Sequence, residues 1–298
     1  MHINNISLNV FSDAERYYIY EINNSGNTTS LIFIESYEKA NKSIKDVLTE
    51  LIEKLPLKPE IFNYVISPDD FVLTQFPHTE HITGDELKEI LDFEVKQNFG
   101  EVLPEEITCI LTPLDDLIIK QDYILASLFK NEIKEELKQI DWISKCEMKF
   151  QFSTNTVLNS FRFNYPEFDD ATIGFFGIYN AYLIYIVISP NGPSLVQFWN
   201  YDTKEECNDI IKQELNVLEK TVHNLTNIFI YGEKLDGHLL KSFIESNPGF
   251  IIHRLNAFRK LSSGIDERAK EYCARTMHIH SPGIGASLPD YTEHIEFL

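Results

Sequence analysis

Histidines, cysteines and paired acids are the side chains here that could hold a metal or move a proton, and their spacing argues against both. His78, Glu80 and His81 stand close enough to share an ion, but they follow Pro77 in a loop and no distant third ligand is implied. A metal needs defined geometry and a supporting shell, so these residues read as ordinary loop polarity. Cys109, Cys146, Cys207 and Cys273 are scattered without a C-x-x-C pair, which gives neither a zinc site nor a disulfide framework. His278 and His280 are two apart near a predicted helix end, where such positions do not face together. The sequence reading there is a protonated histidine favoured by the helix C-terminus. Gly283-Ile284-Gly285 is a lone G-x-G and reads as a helix cap. The interval Gly232 to Gly237 is not a phosphate loop, because no Lys-Ser/Thr follows Gly237. There is no Gly-x-Ser-x-Gly, and Asp115-Asp116 and Asp169-Asp170 fall in predicted turns. These residues imply no metal, no cofactor and no catalytic set.

Apolar side chains offer a different chemistry. A helix predicted over 83–99 carries the stripe Leu87, Ile90, Leu91 and Val95. Phe93 lies off that stripe and Phe99 at its edge. Such rings either pack under a second layer of the same chain or form a docking surface.

The 298 residues suffice for one large or two medium domains, and 43% hydrophobic content suffices for a packed core. Lys plus Arg is 26 against 46 Asp plus Glu, a formal net charge of −20. That field repels phosphate backbones and anionic headgroups, so nucleic acid and direct lipid binding are not expected. The densest basic stretch, Arg254 to Lys260, is too thin to reverse it. Met1 to Val10 lacks the features of a secretory signal, and the longest apolar stretch, Ile178 to Ile188, is too short to span a bilayer. A soluble cytoplasmic protein is expected.

Positioning falls to a repeated pattern of elements. Strands are predicted at Ile6–Val10, Tyr17–Ile22 and Leu31–Glu35, with a turn at Asn23–Gly26. A helix over Tyr37–Leu55 and strands at Ile61–Ile66 and Phe71–Phe76 follow. Thr83 and Glu86 form a capping box for the 83–99 helix. A hairpin over 107–128 and a helix over 130–140 close the first half. The theme returns after residue 170: strands over 171–189 and 194–199, a helix over 203–222, a strand at 227–231, a helix near 239–246, a strand at 250–254 and a last helix before Pro282. Three strands, a helix and a further strand thus occur twice, which implies duplicated mixed sheets with helices packed on them.

The run Glu86-Leu87-Lys88-Glu89-Ile90-Leu91-Asp92-Phe93-Glu94-Val95-Lys96-Gln97-Asn98-Phe99, with Leu103-Pro104-Glu105-Glu106 after it, resembles the signature segment of the PilM family. These are actin-like proteins of type IV pilus assembly, related in fold to FtsA. Tyr123 to Lys130, Tyr231-Gly232-Glu233 and Pro282 to Leu288 match further family elements in order. Over residues 1–80 the likeness lies in element order alone. The resemblance implies an α/β, actin-like, duplicated two-lobed fold, with lobes at 1–165 and 166–298 and a small inserted subdomain at about 68–140. It also exposes departures. Actin-like ATPases hold nucleotide between two Asp-x-Gly hairpins, where glycine admits the phosphates and the acid positions the metal-bound water. The first hairpin here has no such motif. Phe175-Phe176-Gly177 stands in the second, and Gly232-Glu233 replaces the adenosine-site glycine pair, its carboxylate opposing phosphate. The resemblance therefore implies a non-catalytic scaffold without cofactor. It would bind a protein partner, the cytoplasmic tail of an inner-membrane assembly protein, in a groove beside the inserted subdomain, with Phe93 and Phe99 as candidate contacts. The alternatives are an active actin-like ATPase, or a stand-alone protein that keeps the fold for another interaction.

Overall fold

The computed structural model describes residues 4–25, 28–77, 84–103, 106–115, 122–222, 224–290 and 295–297. Strands β1 (Asn4–Ser12), β2 (Arg16–Ser25) and β3 (Thr28–Glu38) form an antiparallel meander. Helix α1 (Ile44–Leu51) leads to β4 (Ile61–Ile66), which lies parallel to β1. The chain then leaves the sheet for β5 (Phe71–Pro77), α2 (Gly84–Phe99), β6 (Ile107–Asp115), β7 (Asp122–Lys130) and α3 (Glu132–Lys138). It returns as β8 (Glu147–Phe152), parallel to β4. Helix α4 (Ser153–Asn164) carries it to the second sheet.

There the meander repeats as β9 (Ile173–Ile178), β10 (Tyr182–Ser189) and β11 (Gly192–Asn200). Helix α5 (Lys204–Thr221), β12 (Asn227–Tyr231), α6 (Gly237–Ser246) and β13 (Ile251–Arg254) complete it, with β12 parallel to both β9 and β13. The first sheet runs β3-β2-β1-β4-β8 and the second β11-β10-β9-β12-β13, so the two match strand for strand. The inserted strands form a sheet of their own. The last elements return to the first half: β14 (Ser262–Ser263) pairs with β3 and, after α7 (Glu267–Thr276), α8 (Ser281–Gly285) packs on α4, and β15 (Ile295–Phe297) pairs with β6.

Period-two alternation sorts side chains between layers. In β2, Tyr18, Tyr20 and Ile22 enter the core between the two sheets, while Ile19 faces the layer under α1. In β12, Phe229 and Tyr231 join that central core and Ile228 and Ile230 face α5 and α6. Helix α5 starts where Thr203 Oγ1 accepts the Glu206 N–H at 3.2 Å, and it buries Cys207, Ile211, Leu215 and Leu218 along one stripe. Each such leucine or isoleucine contributes about 1.5–3 kcal/mol of burial.

Three local expectations change. Tyr37 belongs to β3, opposite Tyr17, and the following helix begins only at Ile44, where Ser43 Oγ accepts the Asp46 N–H. Asn23 to Ser25 continue β2 rather than turning. Helix α4 was not anticipated: Thr154, Thr156, Asn159, Ser160 and Asn164 are all buried, so it has no apolar stripe to read. Its polar groups instead bind across layers, as when Arg162 donates to the Ser189 carbonyl at 3.0 Å and Asn164 to the Ala257 carbonyl at 3.1 Å. The proposed cap Thr83 lies outside the described residues.

Candidate functional site

Two places on this frame could carry function: the cleft where the hairpins of the two sheets meet, and a groove between the first sheet and the inserted one. In the cleft, the β1–β2 turn is closed by its own acid. Asp13 is buried, and its Oδ1 accepts the N–H groups of Glu15 at 2.8 Å and Arg16 at 2.6 Å. Backbone amides of this kind cradle an anion in a phosphate-binding turn, and here a carboxylate of the same chain occupies them. Glu15 reaches across to Lys234 at 2.9 Å, and that hydrogen bond holds its carboxyl below the usual range.

The β9–β10 turn closes similarly, with the Tyr179 N–H donating to the Tyr182 carbonyl at 3.0 Å and the two rings stacked 4.9 Å apart. Tyr201 donates its hydroxyl to the Tyr179 carbonyl. Phe175 lies within β9, fully buried, edge-on to Phe161 at 4.8 Å and stacked on Phe229 at 5.9 Å. Gly177 faces the same core, and a Cβ there would stand 2.6 Å from the Tyr231 ring. Glycine at 177 thus makes room for a tyrosine. Gly232 has φ +106° and lies so close to β9 that a Cβ would meet the Ile178 carbonyl oxygen at 2.2 Å, so the close approach is kept even though its neighbour is Glu233.

Burial pushes the Glu233 carboxyl up to about 8, and the charge of Asp13 adds to the shift. The carboxyl is therefore protonated at neutral pH, which corrects the expectation of a standing anion. The histidines are corrected as well. His280 is fully buried, and desolvation lowers its pKa to about 3; His278 falls to about 4 for the same reason. His280 is a neutral ring held at 2.9 Å by both Tyr20 Oη and Thr276 Oγ1, not a charged partner for a helix end. Gly283 and Gly285 lie inside α8 rather than at a cap, and Gly285 admits the Thr156 carbonyl of α4. Among the described residues no three His, Cys, Asp or Glu side chains gather to hold a metal. His78, Glu80 and His81 are outside that set.

The groove has a different character. It encloses about 470 Å³, with Tyr17, Tyr64 and Ile66 of the first sheet on one side and Phe71, Phe99 and Phe129 of the insertion on the other. Lys39, Asp70, Lys130 and Glu132 line it too, so both charges are offered over an aromatic base. Phe71 and Phe129 are anchored edge-on to Phe152 at 4.8 and 5.6 Å. Phe99 is half-buried and packs partly against the apolar cluster of its own layer. Phe93 is 57% exposed and is not among the groove residues. The two phenylalanines singled out from sequence are thus set apart, one at the groove and one on the open face of α2. Tyr17, Phe71 and Phe129 carried no distinguishing signal, because strand aromatics look alike whether they line a core or a groove.

No family model matches the chain, and no curated protein matches it in sequence. In structure it is similar to a chain of the PilM–PilN type IV pilus biogenesis complex, with TM-score 0.66 and 14% identity over 94% of this chain and 97% of that one. It is also similar to a Bacteroides thetaiotaomicron protein with actin-like ATPase fold and unknown function, with TM-score 0.54 and 11% identity over 84% and 90%. The fold is actin-like. Among the described residues no helix is long and apolar enough to cross a membrane.

Proposed function

We propose that this chain is a non-catalytic actin-fold scaffold of pilus or secretion machinery. On this reading it holds the cytoplasmic tail of an inner-membrane partner in the groove between the first sheet and the insertion. The observation that carries the reading is the contrast between the two places: Asp13 occupies the amides of the β1–β2 turn, while the aromatic groove stands open. Nucleotide phosphates would have to displace a carboxylate already making two charge-assisted hydrogen bonds. The pairing of PilM with PilN in the similar complex supports a protein occupant.

A short extended peptide suits the groove, because apolar pockets flanked by mixed charge fix side chains in sequence. The net charge of −20 favours a tail carrying positive residues and speeds its approach. Phe99 would contact the tail directly, and Phe93 would extend the surface outside the groove. Photo-crosslinking from benzoylphenylalanine at position 99 tests this in cells of the source organism. The expected product is a crosslink, mapped by mass spectrometry, to a segment that precedes a transmembrane helix. Crosslinks to soluble proteins alone, or none, would count against the reading.

A further inference from the structure

A third concavity shares no lining residue with the groove. Leu31 sits near the start of β3, whereas Glu38 at its other end pairs with Arg16 of the cleft turn. Beside Leu31, the stretch 256–265 and helix α7 enclose a dish of about 380 Å³. Leu31 and Cys273 are buried in its floor, while Phe258, Leu261, Ile265 and Met277 are half-exposed in its walls. Size and apolar lining match small-molecule sites, which favour junctions between structural units. The dish occupies such a junction, where β14 of the second half joins β3 of the first.

Of its polar lining residues, Asn256 spends its side-chain oxygen on the Phe258 N–H at 2.9 Å. Ser262 and Ser263 are exposed at its rim, and Lys270 of α7 is the sole cation among the lining residues. Lys270 Nζ meets Glu267 at 2.7 Å, but that carboxylate is 86% exposed, so another acceptor displaces it at little cost. Against the anion-repelling net charge of −20, Lys270 is the one local group that favours a negative head over a positive one at this rim. Its volume holds about a dozen groups at ~30 Å³ each, the share of one water.

We propose that this dish binds a medium-chain aliphatic carboxylate. The chain lies on Phe258, Leu261, Ile265 and Met277, and the carboxylate meets Lys270. The site is independent of the groove and of the tail proposed to fill it.

Decanoate, titrated calorimetrically below its micelle concentration, is the probe. One saturable site is expected, with binding weakened about tenfold by Lys270→Gln, the worth of one charge-assisted hydrogen bond. Ala274 is exposed at the mouth, so Ala274→Trp should block the dish, and an unchanged melting temperature confirms that this variant folds. Flotation with phosphatidylcholine vesicles carrying oleic acid distinguishes a membrane-resident acid from a free one, and capture lost in Ala274→Trp supports the same site. Absent saturation by decanoate, equal binding of decylamine, or binding unchanged in Ala274→Trp would each overturn the proposal.

Discussion

Replacing Glu233 with glutamine tests whether the cleft is closed as tightly as its geometry implies. The folded chain holds this carboxyl protonated up to about pH 8, mainly because burial strips its water and partly because Asp13 faces it. In the unfolded chain the same group ionises near its ordinary 4.5. Between those values the folded state keeps a proton that the unfolded state has released, so stability falls as pH rises. Each pH unit is worth about 1.4 kcal/mol, which makes the cost at pH 7 up to about 3 kcal/mol. Lys234 is the cation beside the pair, and it is bridged to Glu15 rather than to Glu233. Glutamine has nearly the same shape and cannot ionise. The variant should therefore match wild type near pH 4.5, gain steadily above it and level off beyond pH 8. Buried His278 and His280 destabilise the fold as pH drops below 6.5 toward their lowered values, but they do so equally in both proteins. Urea denaturation at pH 5, 7 and 8.5 gives the difference directly. A gain independent of pH, or a loss at pH 8.5, would refute the account of Glu233.

Other outcomes follow from the same contacts. Glu21 is fully buried, accepts the Leu57 N–H at 3.0 Å and is pushed up to about 7, so Glu21→Gln should also gain stability from pH 5 to 7 in the same denaturation series, then level off. Gly177→Ala should cost about 1–3 kcal/mol by driving a methyl into the Tyr231 ring, and Tyr231→Ala in the same chain should relieve that clash, both read from melting curves. Phe93→Ala should change stability by less than about 0.5 kcal/mol, whereas half-buried Phe99→Ala should cost more and also abolish tail capture. Loss of capture in Phe93→Ala alone would move the docking surface to the outer face of α2.

Much of the frame was legible because strand alternation and helical spacing of apolar residues are local. The second-half strands Ile173–Ile178 and Asn227–Tyr231 and the Thr203-capped helix could be placed from their own residues, and so could the repeat of three strands, helix and strand. Helix α4 was hidden because burial on every side erased its polarity pattern. The cleft was legible as a set of missing motifs, but not as a filled one. Asp13 binds amides only two and three residues on, a local turn habit of aspartate, whereas Tyr231 over Gly177 and the neutral His280 depend on elements more than fifty residues apart or on burial. Phe99 was within reach through its place on the α2 stripe. Tyr17, Phe71 and Phe129 were not, because the groove exists only once the insertion folds back against the first sheet.

On the proposed reading this actin fold docks a peptide and leaves nucleotide unbound. Isothermal calorimetry with Mg-ATP on the purified chain meets that claim most directly. No saturable heat is expected up to millimolar ATP, because the amides of the first hairpin are spent on Asp13 and tyrosines close the second. A micromolar dissociation constant, about −8 kcal/mol of binding, would contradict it.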